Sequence, residues 1–443
     1  MHLPRLMLRM AVAAAVAAGP AAAEEALTLE RAIAIAEAQN HQLRAADARL
    51  GAAAAGVDEA RSYRLPRLDL EAGYQRSDNP VLVFGNLLRQ EDFGAENFDL
   101  GRLNRPDALD NWNVTVMVEQ PLWTGGRLAR GEEAARLGRD AASSGRERAR
   151  QEVVRRTIAS YTGAVVADRR LEVAREALAT AGAHVGLIRD LYEGGLVVES
   201  DLLLARVRES EVREEVIRAE SGVEVARATL NLVLGRDLAT PIVLPETLEL
   251  EPADGEDLEA LIERARGGRP DLEAARRQTA AAQTGVALAR AGRRPTVGFQ
   301  AAWETNARDF FGNDGDNVTL GVGLRLPLFD GFATRARERR AREQASEAEV
   351  GVELLTESVA LEVRQAFSEL RAAGQRLEQS AQSVGLARRS LTIVEDRYKE
   401  GLTTLPELLD AETALTTARL REVAARRDVL LARASLDLAT GEL

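Results

Sequence analysis

The chain has 443 residues, more than one ordinary compact domain holds, so two domains or an elongated repeat are expected. With 29% charged and only 4% aromatic residues, and Ala, Arg, Glu and Leu dominant, it has the composition of long helices rather than of a compact globule. A net charge of −12 with arginines interleaved among acids leaves no nucleic-acid footprint, and the lack of cysteine excludes disulfides, thiolate zinc sites and a lipidated N-terminal cysteine.

Residues 1–23 read as a secretory signal peptide. Arg5 and Arg9 precede the short apolar run AVAAAVAA, and AAAEE supplies a small-residue cleavage site after Ala23. The run is too short to span a membrane, and no later stretch approaches the about 18 unbroken apolar residues of a transmembrane helix. An exported chain of this kind is periplasmic, secreted or outer-membrane; composition does not choose.

A helix is expected over LERAIAIAEAQNHQLRAA, from Leu29 to Ala46. Past Pro66 the hydrophobic period becomes two. Leu68, Leu70, Ala72 and Tyr74 share one face of a strand at about residues 66–76, opposite Asp69, Glu71, Gly73 and Gln75. A second strand, at about 111–121, sets Trp112, Val114, Val116 and Val118 against Asn113, Thr115 and Glu119. The segment 77–111 between them reads as a long loop, more apolar than solvation needs at Val81, Leu82, Val83, Phe84, Leu87 and Leu88.

From Arg127 to Arg189 no proline occurs, and Leu171, Ala174, Leu178, Ala181, Val185, Ile188 and Tyr192 step by three and four. That spacing makes a narrow apolar seam on a helix that packs against other helices. About 65 helical residues extend roughly 100 Å. The turn YEGGLVV, Tyr192 to Val198, leads into a return helix.

The pattern then repeats. Pro121, Trp123 and Gly125 recur as Pro327, Phe329 and Gly331, a constant 206 residues on, and LYEGGLVVESDLL recurs as RYKEGLTTLPELL. Upstream the spacing is 229, so the first copy carries 23 extra residues, which fall in the 77–111 segment. Residues 24–238 form one repeat, 239–256 a Pro-rich connector, and 257–443 a second repeat. The second repeat has strands at about 295–304, with Val297, Phe299, Ala301 and Trp303 on one face, and at about 317–328, with Val318, Leu320, Val322, Leu324 and Leu326.

Four strands of this length, alternation and aromatic placement fit an outer-membrane barrel; the alternative is two hairpins with one face on a soluble core. Four strands do not close in lipid by themselves, because their edge amides and carbonyls would be unpaired. Two copies would supply eight strands and three would supply twelve, and spacing does not choose between them.

The order of helix, strand pair, long helix, turn and helix, given twice after a signal peptide, resembles the TolC-like outer-membrane efflux channel family (outer membrane factors). The resemblance rests on LTLERAIAIAEAQNHQLRAADARL, LPRLDLEAGY, QPLWTGG, LPLFDG, YKEGLTTLPELLDAETAL and ASLDLATG, and covers essentially the whole mature chain. It implies a mainly α fold with mixed architecture: long coiled-coil hairpins forming a periplasmic α-barrel, and four strands per subunit contributed to a homotrimeric twelve-stranded barrel. It further implies an outer-membrane exit duct of a Gram-negative bacterium, reaching into the periplasm and serving a tripartite efflux pump or type I secretion system. Cargo arrives from an inner-membrane transporter through a periplasmic adaptor (membrane fusion protein). The duct itself is no enzyme and needs no cofactor or metal. The alternative from another class is a soluble periplasmic coiled-coil adaptor or scaffold.

On this resemblance the two turns are periplasmic tips that meet the adaptor, through Tyr192, Gly194, Gly195, Leu196, Tyr398, Gly401, Leu402 and Thr403. Glu407 and Asp410 match a pair of acids that rings the narrow entrance; alternatively, Thr404 and Glu407 form a capping box that starts a helix. Tyr398 matches a tyrosine that ties the closed entrance, but Thr403 stands where some members have an arginine, which puts that closing network in doubt. Tyr74, Trp112, Trp123, Phe299, Trp303 and Phe329 are expected at the lipid boundaries, in contact with outer-membrane lipid. The 77–111 loop is expected outside the cell, packing on a neighbouring loop in preference to acting as a lid or receptor surface. Of the histidines left after processing, His41 and His184 are read as surface residues, and FGNDGDN, Phe311 to Asn317, as a hairpin turn rather than a calcium loop.

Overall fold

The computed structural model describes residues 26–245, 257–312 and 314–443; the expected signal peptide and part of the expected connector lie outside them. Helices come in pairs of equal length: α1 (Leu29–Gln39) with α7 (Leu258–Gly268), 11 residues each, and α2 (His41–Ser62) with α8 (Pro270–Ala291), 22 each. The long helices α5 (Arg127–Glu193) and α9 (Ala333–Lys399) have 67 residues each, and α6 (Glu199–Leu234) and α10 (Leu405–Thr440) have 36. Four strands, β1 (Arg67–Ser77), β2 (Leu109–Trp123), β3 (Thr296–Ala307) and β4 (Gly315–Arg325), form one antiparallel sheet in chain order. Residue contacts divide the chain into two compact units.

The first unit takes in the described residues up to Asn40, those of Val154–Ala253, and Leu370–Ala434. Its helix α1 starts where the Thr28 hydroxyl accepts the Arg31 amide at 3.2 Å. Ala32 and Ala36 then bury fully, as do Leu230 and Leu234 at the end of α6. The single helix expected over Leu29–Ala46 is in fact broken at Asn40, whose backbone is extended and whose side-chain amide donates to the Val233 carbonyl at 2.7 Å. A short polar side chain with a backbone partner of its own outcompetes the helical ladder there.

The second unit takes in His41–Val153, the described residues of Asp254–Glu369, and Ser435–Leu443. The corresponding break falls at Arg269, because Pro270 opens α8 and disfavours helical backbone in the residue before it. The strands correct several expected boundaries, β3 running on to Ala307 past the expected 304. β2 runs on through Pro121 to Trp123, with a register irregularity between them where Pro121 faces Gly298. An interior strand tolerates proline only at such a bulge, where no ladder donor is lost. β4 ends at Arg325, short of the expected 328, so Leu326 and Pro327 belong to the junction instead. The switch into each long helix is made at equivalent positions: the Thr124 hydroxyl accepts the Leu128 amide at 3.3 Å, and the Asp330 carboxylate accepts the Thr334 amide at 2.8 Å.

The 77–111 segment is not an irregular loop. It contains α3 (Pro80–Arg89), a 3₁₀ turn (Ala95–Phe98) and the short α4 (Leu100–Asn104). The Asn79 side chain caps α3, Pro80 stands at its first position, and Val83 and Leu87 are buried one turn apart. The apolar residues noted in the sequence are thus partly spent inside the subunit, where Phe84, Phe93 and Phe98 also make edge-to-face contacts at 4.9 and 5.2 Å. Val81 and Leu88 stay exposed on the same helix.

Candidate functional site

The middle of the sheet has one apolar and one polar face, with Arg76, Asp110 and Asp316 on the apolar side only toward one end of the strands. Cross-strand partners share a face, and the register joins Leu70 to Val116, Val116 to Trp303 and Trp303 to Val318; two residues on, Leu68, Val118, Ala301 and Leu320 make a parallel row. Leu68, Leu70, Val318, Leu320, Val322 and Leu324 are each about two-thirds exposed, at 64–71%. An apolar surface therefore covers the middle of one side of the sheet, with nothing among the described residues packed upon it. In water such a surface would be costly, since each Leu or Val left uncovered forgoes about 1.5–3 kcal/mol of burial.

Four of the six expected aromatics sit toward the ends of this face. Tyr74 and Trp112 pair at 4.6 Å and lie beside Phe310, also 4.6 Å from Trp112; the Tyr74 hydroxyl donates to Asp110 at 2.7 Å. Trp303 lies nearer mid-strand, with its indole N–H 3.4 Å from Asp316. Phe299 and Trp123 mark the opposite end, opposite Gln120 and Val297 respectively. Phe329 falls beyond β4, 76% exposed, in edge contact with Phe332 at 5.4 Å.

The other face is polar and internally bonded. The Asn111 amide donates to Asn306 at 2.9 Å, and both Asn113 and Asn306 donate to Glu304 Oε1 at 2.9 Å. Asn111 and Asn306 are buried. The sequence reading placed Asn113 on this face but missed the cluster; its signal was the alternation of Asn and Glu against apolar residues in β2 and β3.

The helix tips belong to the first unit, and both are closed in the same way. Gly195 N–H bonds the Tyr192 carbonyl and Leu196 N–H the Leu191 carbonyl, both at 2.9 Å; Gly401 and Leu402 repeat this to Tyr398 and Arg397 at 3.0 and 2.8 Å. This double bond pattern needs a left-handed residue after the helix, and Gly195 and Gly401 supply it with φ of 74° and 72°. Gly194 precedes that position, while Leu196 and Leu402 are largely exposed. Beneath the tips Val185 and Ile188 of α5, Leu202 and Ala205 of α6, Tyr398 of α9, and Leu405 and Leu408 of α10 form one core.

Tyr398 is therefore a core residue, 9% exposed, whose hydroxyl has no hydrogen-bond partner among the described residues. Burial, and secondarily the charge of Asp201, raise its pKa. Tyr192 is more exposed, at 39%. Thr403 donates its hydroxyl to the Glu407 carboxylate in the first turn of α10, so the tip threonine and the first expected acid are bonded to each other. Asp410 is exposed one turn further on and makes no ion pair among the described residues. His184 corrects the surface reading: it is largely buried, and its Nδ1 forms an ion pair with Glu412 of α10. The bond to Glu412 raises the His184 pKa against the opposing effect of burial.

The family model described as outer membrane efflux protein matches residues 32–236 and 261–442. Protein CyaE of Bordetella pertussis is 28% identical over 96% of this chain and 86% of its own length. Outer membrane protein TolC of Vibrio cholerae is 25% identical over 91% of this chain and 88% of its own. In fold, the chain is similar to the Campylobacter jejuni CmeC outer membrane channel, with a TM-score of 0.79 at 18% identity, covering 99% of this chain and 94% of that one. With an apolar-faced sheet, paired long helical hairpins and a family match over both halves, the chain belongs to the outer membrane efflux protein family, and is an outer-membrane exit duct of the efflux and secretion class that reaches into the periplasm and catalyses no reaction.

Proposed function

We propose that three copies of an internally duplicated chain close a twelve-stranded barrel from their four-stranded sheets and conduct cargo passively through it. The observation that carries this reading is the exposed apolar face on a sheet whose β1 and β4 each keep one unpaired edge within the chain. In lipid an open edge leaves backbone groups without partners, so β4 of one copy meets β1 of the next. The equal helix pairs support duplication, with residues 24–238 and 257–443 as the two repeats and 239–256 as connector, behind a signal peptide at 1–23. Tyr74, Trp112 and Trp303 then lie toward the outer lipid boundary, and Trp123, Phe299 and Phe329 at the inner one.

The helices run into the periplasm, where the tips meet an adaptor fed by an inner-membrane transporter. Leu196 and Leu402, largely exposed beside Tyr192, Gly194, Gly195, Gly401 and Thr403, form the contact, while Tyr398 shapes it from within. A cysteine at Leu402, in a chain that has none, is expected to crosslink in intact cells to a periplasmic adaptor. Crosslinks to other copies of the duct alone would remove the tips from the adaptor interface.

Glu407 and Asp410 ring the entrance, Asp410 with its carboxylate free of ion pairs among the described residues and Glu407 held by Thr403. Three copies place six carboxylates near one axis, a site that attracts cations. In planar bilayers the purified protein is expected to form discrete channels blocked by trivalent cations from the periplasmic side. Asp410→Ala should weaken that block by roughly tenfold or more. Channels with unchanged block would reject the ring, and absence of channels would reject the duct.

A further inference from the structure

We infer that the 77–111 insertion is a constriction inside the barrel, a size and charge filter at its outer mouth, rather than a loop standing outside it. The inference rests on the proposed trimeric barrel, in which the apolar face is the lipid side and the polar face is the lumen.

Helix α3 lies on that polar face. The Gln90 side-chain amide donates to the Asn111 side chain at 2.8 Å and to the Asp110 carbonyl at 2.9 Å, and Gln90 is buried. Through Asn111 it joins Asn306, Asn113 and Glu304, all on the polar face of β2 and β3, and Arg89 adds an ion contact to Glu304 at 3.8 Å. On β4 the approach is closer still. Gly315 pairs with Asn306, and a Cβ added there would come within 2.2 Å of the Arg89 carbonyl oxygen, so a larger residue would push α3 off the sheet. The helix end is held on its far side as well: Asp92 pairs with Arg308, and Glu91 takes a left-handed φ of 56° to end α3. Contacts with three strands and a buried amide network make this a fixed element, since an amide network of this kind loses its bonds if the helix lifts.

An eight-stranded barrel is filled by its own side chains, whereas sixteen strands leave an aqueous channel. A barrel of intermediate size has room for little more than one helix, about 10 Å across, from each subunit. Three copies of α3 on the lumen face therefore narrow the mouth. Val81 and Leu88, both exposed on α3, line the remaining opening. The cargo that passes without displacing the insertion is small solute or unfolded chain.

Two variants test this in planar bilayers. Replacing residues 80–105 by a short Gly-Ser turn should let neutral polymers of roughly twofold greater mass enter from the outer side, read from the current they displace. Val81→Lys, at an exposed position that leaves the fold intact, should shift the reversal potential toward anion selectivity. At about 1 M salt the Debye length is roughly 3 Å, so only a charge in the conduction path is felt. A polymer size limit on the outer side unchanged by the replacement, or a reversal potential unchanged by Val81→Lys, overturns the inference while leaving the channel standing. A wild-type protein that forms no channel at all would instead overturn the barrel reading.

Discussion

Leu320→Arg is expected to abolish the proposed outer-membrane trimer. Leu320 lies at the centre of β4 (Gly315–Arg325), pairs with Ala301 on the apolar face and is 69% exposed, so among the described residues nothing covers it. An arginine at the bilayer midplane of a barrel costs about 2–4 kcal/mol. Three copies multiply that to about 6–12 kcal/mol per trimer, comparable with the whole stability of a folded domain. Its neighbour Thr319 pairs with Ala302 on the opposite face, and Thr319→Arg should assemble at close to the wild-type level. Cold gels of outer-membrane fractions, scored for the heat-modifiable trimer, separate the two. Equal assembly of both variants would mean that the apolar face does not meet lipid.

Arg269→Ala should produce the largest loss of stability outside the membrane, about 3 kcal/mol, toward the lower end for breaking a buried ion pair. Arg269, between α7 and α8, has a side chain only 1% exposed. Its guanidinium donates to Asp271 at 3.0 and 2.5 Å, to Glu362 at 2.5 Å and to the Ala439 carbonyl at 3.2 Å. Removing it leaves that carbonyl without this donor and Asp271 with the Leu272 amide at 2.9 Å and, as a cation, the more distant Arg148 at 3.8 Å. Half-exposed Glu362 regains water, which limits the loss.

The same site carries a pH signature. Burial pushes the Asp271 carboxyl up, but its bonds to Arg269, with the charges of Arg269 and Arg148, outweigh that and hold it below its ordinary 3.8. A carboxyl depressed on folding stabilises above its unfolded pKa and loses that contribution as pH falls through the folded one. Melting temperature in detergent should therefore fall below about pH 4 in the wild type, and the fall should be smaller in Arg269→Ala. Arg269→Lys, a point charge without the fork, should recover only part of the loss. An unchanged melting temperature in Arg269→Ala would show that the cluster is not a stabilising centre.

Several features were legible because each follows from chemistry local in the chain. Period-two alternation in β1 to β4 reports one apolar face whatever lies around it, and the observed register places Leu68, Leu70, Val116, Val318 and Leu320 on that face together. Glycine after a helix reports a left-handed residue, as Gly195 and Gly401 are. Both long helices lack a proline over their length, and run uninterrupted for 67 residues. Burial was less legible. His184 and Tyr398 are polar residues with unremarkable neighbours in sequence, and only the packing of α5, α9 and α10 encloses them.

The insertion shows where local information stops. Its sequence carries a helix start at Asn79–Pro80 and an apolar pair at Val83 and Leu87, enough for a short amphipathic helix but silent on which surface receives it. That surface is assembled from Asn111, Asn113, Glu304 and Asn306, residues 191 to 195 positions apart, which meet only when β2 and β3 pair. Periodicity, capping and turn chemistry act over a few residues, so strands, helices, tips and junctions could be read in order along the chain. The seating of α3 on the polar face, the burial of Arg269 and the shared core of the two tips depend on contacts between distant segments, and the tertiary structure alone decides them.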